Sequence, residues 1–291
     1  MLLKEIKHVF HKELDQRYGS DEVDHFFYHF IEHYLGLPKF HLALQPEWII
    51  TKEEEGVFFR GLSALKQGQP LQYVLGITSF MDLPIKVNNN VLIPRPETEE
   101  LVRAIIEDYK DFSTALRVLD IGTGSGCIAL SLSKYLPMAI VKGIDLSPGA
   151  LKTARENARL NELDVEFVES DIRTMNLPEE SYDIIVSNPP YVLDMEKSAM
   201  EEHVKEAEPS MALFVPDDTP LVFYKYIVSE ARKALVKGGA IYLEINQRFG
   251  NEVSNLLEDH KFESIELSKD LYGRDRFVKA INTKKQNIKQ K

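Results

Sequence analysis

Apolar residues recur at three- and four-residue steps through the first quarter of the chain, where Phe26, Phe27, Phe30, Ile31, Tyr34 and Leu35 are spaced to share a helical face. No strand-like alternation interrupts this rhythm up to about residue 75. Gly19-Ser20, Gly36-Leu37-Pro38 and Gln45-Pro46 break it, so the pattern predicts three or four short helices, a small bundle read as a cap that faces a ligand. From Gly76 to Pro96 two short apolar runs flank Asp82-Leu83-Pro84, and Asn88-Asn89-Asn90 follows. This reads as a hairpin-like connector and holds the domain boundary. After Pro96 short buried runs alternate with amphipathic helical stretches: Leu116 to Ile121, Ala139 to Asp145, Val165 to Glu169, Asp183 to Ser187 and Ala240 to Ile245. Strands separated by helices imply a mostly parallel sheet covered on both faces, the doubly wound α/β architecture, with ligands at the strands' carboxyl ends. Phe262 to Leu267 and Arg276 to Ile281 have only Tyr272-Gly273-Arg274-Asp275 as a clear turn and no helix between them, which predicts an antiparallel edge hairpin. The expected organisation is therefore a helical region over 1–75, a linker over 76–96, an α/β domain over 97–283 and a frayed basic tail over 284–291.

The 46 acidic and 35 basic residues give a net charge of −11. That argues against a general binder of nucleic acid or anionic membrane, which draws its affinity from basic patches. Cys127 is the only cysteine, so no intramolecular disulfide and no cysteine-built zinc site is expected, and a reducing compartment fits. Charges in the first seven residues sit where a signal peptide would be apolar, and no run approaches the ~18 apolar residues of a membrane helix. A soluble cytoplasmic protein is expected. His25, His29 and His33 fall at four-residue steps on one predicted helix, but the neighbouring phenylalanines supply a packing face there and no metal is predicted.

Directly after the first strand of the α/β domain stands Asp120-Ile121-Gly122-Thr123-Gly124-Ser125-Gly126, followed by the helix-like Cys127 to Tyr135. Glycines let the backbone turn sharply and approach a ligand, and the helix N-terminus offers unpaired N–H groups. Cys127 stands where the third glycine of a dinucleotide fingerprint belongs, and no GxxxxGK phosphate loop is present. Asp145 ends the next strand, near the offset at which a carboxylate accepts from ribose hydroxyls. Together these favour a nucleoside ligand. The plainer alternative is a tight turn, with Asp145 capping a helix that starts near Pro148. Asp171 and Ile172 follow the third strand and are candidates to border a base.

At the end of the fourth strand come Ser187-Asn188-Pro189-Pro190-Tyr191. Two prolines after a buried strand stop the ladder and stiffen the backbone at the ligand edge. The Asn188 side-chain oxygen and the Pro189 carbonyl offer two acceptors for a planar NH2 group, and Tyr191 could stack on its flat π system. An amide or an aromatic amine fits such a loop.

On these residues the chain resembles the class I methyltransferases that use S-adenosyl-L-methionine, and more closely the release factor glutamine N5-methyltransferases, also called the HemK family. Gln69-Pro70-Leu71-Gln72-Tyr73-Val74-Leu75-Gly76, Val91-Leu92-Ile93-Pro94-Arg95-Pro96-Glu97-Thr98-Glu99, Glu208-Pro209 to Ala212-Leu213 and Gly273-Arg274-Asp275-Arg276 are similar to that family's other motifs. Ile172 departs from an aromatic often found beside the adenine. The resemblance implies a Rossmann-like methyltransferase domain in which Gly122, Thr123, Gly124, Ser125 and Gly126 hold the methionine and ribose portions of the cofactor and Asp145 the ribose hydroxyls. It assigns Asp171, Ile172 and Asn188 to the cofactor site as well. Asn188 and Pro189 become the catalytic pair, and Asn188, Pro189, Pro190 and Tyr191 the substrate loop. The implied substrate is the glutamine of the GGQ loop of bacterial class 1 peptide chain release factors, with S-adenosyl-L-homocysteine as the other product. Three alternatives share parts of the pattern: a ribosomal protein L3 glutamine methyltransferase, an adenine N6 methyltransferase of DNA or RNA, which the net charge disfavours, and a regulatory protein that binds a nucleotide without turnover.

Overall fold

The computed structural model describes residues 1–199 and 208–283, and the expected basic tail at 284–291 lies outside them. These residues divide into two units, Met1–Ile77 and the residues from Thr78 onward. The first unit carries helices at Leu3–Tyr18, Ser20–Phe30, His41–Leu44, Lys52–Lys66 and Leu71–Leu75, the second of them running into a π-helical turn at Ile31–Leu35. All three expected breaks separate helices. Five helical segments stand where three or four were expected, because Gln67-Gly68-Gln69-Pro70 makes a further break. Gly68 takes φ +82° and Pro70 has no N–H to continue a helix, so the chain restarts for little more than one turn. The helix at Lys52–Lys66 opens with a capping box, in which Thr51 Oγ1 accepts from the Glu54 N–H and Glu54 Oε2 accepts from the Thr51 N–H.

This unit buries its own core of Leu3, Ile6, Phe10, Leu14, Phe27, Phe30, Phe58 and Leu65. Phe10 meets Phe27 edge-on with ring centroids 5.3 Å apart, the arrangement aromatic quadrupoles favour. Gly61 lets two helices close over this cluster, since a Cβ there would lie 2.1 Å from Phe30 Cε1.

Strands β1 (Ile77–Phe80) and β2 (Leu83–Lys86) form a two-stranded sheet. The turn falls at Met81-Asp82, one step earlier than the sequence suggests: Leu83 and Ile85 are buried and Pro84 exposed, so Leu83-Pro84 already belongs to the second strand. Met81 and Asp82 take φ of +48° and +55°, as a two-residue hairpin loop demands.

The second unit is built on a seven-stranded sheet of β3 (Arg117–Ile121), β4 (Ile140–Asp145), β5 (Glu166–Glu169), β6 (Tyr182–Ser187), β9 (Leu235–Glu244), β10 (Phe262–Lys269) and β11 (Asp275–Asn282). Their order is β10-β11-β9-β6-β3-β4-β5. β5, β4, β3, β6 and β9 are parallel, whereas β11 runs antiparallel to β9 and pairs with β10 as the expected edge hairpin. β7 (Val192–Leu193) and β8 (Phe214–Val215) make a separate short parallel pair. Ile121, Ile144, Ile185, Ile241, Leu243 and Val278 fill a core under the helix Val222–Ala234. The inner strands β3 and β6 are buried on both faces and read as near-continuous apolar runs, which is why they are legible. The doubly wound α/β fold with an antiparallel edge is as the sequence predicts. Among the described residues no helix is long and apolar enough to cross a membrane.

Candidate functional site

β3 lies between β4 and β6, so the chain leaves it toward one side and later returns on the other. Such a switch point opens a crevice at the carboxyl ends of the strands. Three strand ends supply its polar groups: the loop Gly122 to Gly126 after β3, Asp145 at the end of β4, and Asn188-Pro189-Pro190 after β6. All lie in or beside one cleft, whose lining includes Gly122, Thr123, Gly124, Ser125, Asp145, Asp171, Ile172, Asn188, Pro189 and Pro190.

The glycine loop is tied to its neighbours before any ligand arrives. The Gly122 and Thr123 N–H groups both donate to the Ile144 carbonyl at 2.9 Å, and the Gly126 N–H donates to the Thr123 carbonyl. Gly122 and Gly124 hold φ of +74° and +57°, and a Cβ at either would meet nothing closer than 4.0 Å. Backbone conformation rather than crowding therefore requires glycine there. Gly126 is placed differently from the rest of the loop: it is the N-cap of the helix Cys127–Tyr135, packs on Phe167 and Ala154, and does not line the cleft.

Asp145 accepts from the Gly124 N–H through Oδ2 and from the Ser147 N–H through Oδ1, each at 2.9 Å. Ser147, not Asp145, caps the helix Pro148–Leu160, through Oγ and the Ala150 N–H. Burial pushes the Asp145 carboxyl above its ordinary value, against those N–H donors. Asp171 lines the cleft while engaged by Arg173, whose Nη2 lies 2.6 Å from Oδ2, and Ile172 stands beside it.

Asp120 interrupts the apolar run of β3 and is fully buried. Its Oδ2 accepts the Thr123 hydroxyl at 2.6 Å, whereas Oδ1 has no hydrogen-bond partner among the described residues. Burial pushes this carboxyl up to about 7 from its ordinary 3.8, opposed by Thr123 and the Ala129 backbone. Because the folded-state value is the higher one, the bound proton favours the folded state. That contribution is complete below about 3.8 and is lost as pH rises through about 7. Ligand-free protein is therefore expected to lose at least about 1 kcal/mol of stability between pH 5 and pH 7 relative to Asp120→Asn. Urea unfolding of the two proteins at both pH values measures this, and parallel pH dependence would remove Asp120 as the source.

The loop after β6 is anchored from behind. Asn188 Nδ2 donates to Thr98 Oγ1 at 3.2 Å, the Thr98 hydroxyl donates to Glu244 Oε2 at 2.7 Å, and the Tyr191 hydroxyl donates to Glu244 Oε1 at 3.0 Å. Glu244 ends β9 and is 1% exposed. Burial raises its carboxyl above the ordinary range, and the Thr98 and Tyr191 hydroxyls oppose this. The Tyr191 ring packs against the core and is absent from the cleft lining, with its hydroxyl turned to Glu244. A buried acceptor 3.0 Å away explains that placement.

Thr98 and Glu244 are functional candidates that spacing alone does not reveal, and Arg95 with Glu208 forms a further pair. Arg95 lines the cleft and its Nη2 lies 2.7 Å from both Glu208 oxygens. The one local signal was an acid closing an apolar strand, Ala240-Ile241-Tyr242-Leu243-Glu244. His25 and His29 make an edge-to-face ring contact at 4.3 Å in the first unit. Among the described residues no group of three or more His, Cys, Asp or Glu is gathered as a metal site would need.

Comparison with known proteins matches both units. Residues 98–212 match the family model described as the Methyltransferase small domain, and residues 8–76 that described as the PrmC N-terminal domain. The solved structure of a methyltransferase from Pyrococcus furiosus, 17% identical, covers 80% of this chain and all of its own with a TM-score of 0.51, a likeness of fold. A release factor glutamine methyltransferase from Flavobacterium psychrophilum is 44% identical over 282 residues, 96% of this chain and 99% of that protein. One from Streptococcus pneumoniae is 40% identical over 96% of this chain and 98% of its own length. With likeness to such enzymes that runs almost end to end at 40% identity and above, the chain belongs to the release factor glutamine methyltransferase family.

Proposed function

We propose that this methyltransferase moves the methyl group of S-adenosyl-L-methionine to the N5 side-chain nitrogen of the glutamine in the GGQ loop of bacterial class 1 peptide chain release factors, in the cytoplasm. The observation that carries the reading is the meeting of Asn188 with the glycine loop and Asp145 in one cleft. The cofactor's groups suit the residues there. Asp145 accepts from neighbouring backbone N–H groups and keeps further lone pairs for ribose hydroxyls. Ile144 and Ile172 offer apolar walls for a base. When bound, the sulfonium cofactor supplies an already activated methyl group and leaves as S-adenosyl-L-homocysteine.

The chain's own task is orientation. An amide nitrogen is a poor nucleophile because its lone pair is delocalised into the carbonyl. Asn188 Oδ1 and the Pro189 carbonyl, on a backbone stiffened by Pro189-Pro190, would accept the two N–H bonds of the substrate amide. That aligns the lone pair and stabilises positive charge growing on nitrogen. A strong base is not needed, since an N-alkylated amide cation sheds its proton readily to water. Tyr191 holds the loop from behind through Glu244.

The test is methyl transfer from labelled cofactor to a purified release factor. Labelling is expected on the intact factor and lost when its GGQ glutamine is replaced. Labelling of ribosomal protein L3 or of an adenine-containing oligonucleotide in its place would overturn the substrate assignment. Asp145→Ala is expected to weaken cofactor binding at least tenfold in calorimetry, because ribose hydroxyls lose a charged acceptor worth about 1.5 to 3 kcal/mol. Unchanged affinity would take Asp145 out of the site.

A further inference from the structure

The loop's chemistry depends on which end of the Asn188 amide faces the cleft. An asparagine side chain has an acceptor oxygen at one tip and a donor NH2 at the other, and a 180° flip exchanges them with little change of shape. Only one orientation can accept a substrate N–H. The other would set NH2 against NH2. Neither proline can make this choice, because both constrain the backbone alone.

Glu244 supplies a direction. Each of its oxygens receives one hydroxyl, Oε2 from Thr98 and Oε1 from Tyr191, so the carboxyl is the acceptor of both bonds. The single hydrogen of Thr98 is then committed to Glu244. Its Oγ1 has only lone pairs left for Asn188, and the atom it meets is Nδ2, at 3.2 Å. Both relay side chains are held: Glu244 and Thr98 are buried, and the Tyr224 hydroxyl fixes the strand end by donating to the Glu244 backbone carbonyl at 3.0 Å.

We infer that Glu244 and Thr98 are positioning residues, a one-way hydrogen-bond relay that locks the Asn188 amide with its oxygen toward the substrate. The inference rests on the proposed amide substrate and adds to it the device that makes Asn188 an acceptor. Glu244 does not line the cleft, and Thr98, which does, acts on the substrate amide through Asn188. Loss of the relay leaves Asn188 in place but free to present the wrong end, so it acts on turnover rather than on cofactor binding.

The experiment compares Thr98→Val, Thr98→Ser and Glu244→Gln in the full chain, by single-turnover methylation of the release factor at saturating cofactor and by calorimetry of cofactor binding. Valine keeps the volume of threonine and removes the hydroxyl; serine keeps the hydroxyl and loses a methyl. The relay predicts that Thr98→Val slows transfer at least tenfold with cofactor affinity within threefold of wild type, and that Thr98→Ser restores most of the rate. A packing role predicts the reverse order, with serine the worse variant. Glu244→Gln leaves one acceptor oxygen for two hydroxyls, so Thr98 and Tyr191 compete for it, the Thr98 hydrogen is no longer held in one direction, and transfer should slow at least fivefold. If Thr98→Val does not fold, this variant decides. Wild-type rates in Thr98→Val, or in Glu244→Gln should the former not fold, overturn the relay while leaving the function standing. Failure of the wild-type chain to methylate the release factor overturns the function instead.

Discussion

Asn188→Ala is expected to slow methyl transfer roughly 10²- to 10³-fold in single turnover at saturating cofactor, the loss typical when one preorganised partner of a developing charge is removed. The alanine keeps the Pro189-Pro190 backbone and its carbonyls, so the effect isolates the side chain. Asn188 also lines the cleft beside the glycine loop, yet the groups proposed for the cofactor's ribose and base lie elsewhere, on Asp145, Ile144 and Ile172. Cofactor affinity should therefore change little. A variant within a few-fold of wild type would sink the role given to this loop. Asn188→Asp keeps an acceptor and should exceed Asn188→Ala, but the structure limits the rescue. Aspartate has no N–H for Thr98 Oγ1, and it adds a second carboxylate to a chain of bonds that already ends on buried Glu244.

The fold was legible where one residue type can serve only one purpose. Buried parallel strands need apolar side chains on both faces, so β3 and β6 stand out as runs bounded by loops, whereas the edge strand β5 shows only Phe167-Val168 between exposed glutamates. β9 was legible only from Ala240. Its first half contains Gly238-Gly239, which break the apolar run, and its pairing with β6 shifts register between Tyr182 and Ile184. The Met81-Asp82 turn was misplaced by a residue because methionine, unlike aspartate, is not a usual choice for positive φ, and the hairpin's burial pattern overrides that preference. In the site, Gly122, Gly124 and the two prolines announce themselves by backbone constraint. Thr98 and Glu244 do not. They lie 146 positions apart, and nothing local tells a threonine in a helix's first turn that its partner is a buried carboxylate. Tyr191 illustrates the same limit: its spacing suggests a stacking face, and only the converging strand end shows where its hydroxyl goes.

Removal of residues 1–75 is expected to abolish methylation of the intact release factor while leaving cofactor affinity within about threefold. Every residue lining the cleft lies at Asn90 or beyond, so the deletion removes none of the groups proposed to hold the cofactor. The two cores are assembled separately. One is drawn from Leu3 to Leu71, and the other from Leu119 to Ala280. Cutting before Gly76 also keeps the β1–β2 hairpin, whose Met81 N–H donates to Glu99 Oε1 and whose Met81 carbonyl accepts the Tyr135 hydroxyl. The second unit thus retains its own tertiary bonds. A glutamine on a folded protein partner must be delivered to a narrow cleft in one orientation, and the helical unit is proposed to grip that partner. Chemistry on a free amide needs no such grip. A short peptide carrying the GGQ sequence should accordingly be methylated slowly, and at comparable rates by the full chain and the truncated one. Calorimetry with cofactor and labelling of both substrates measure the outcome. Equal loss of cofactor binding and methylation would make the helical unit part of the catalytic core, and full activity of the truncated chain on the intact factor would end its role in recognition.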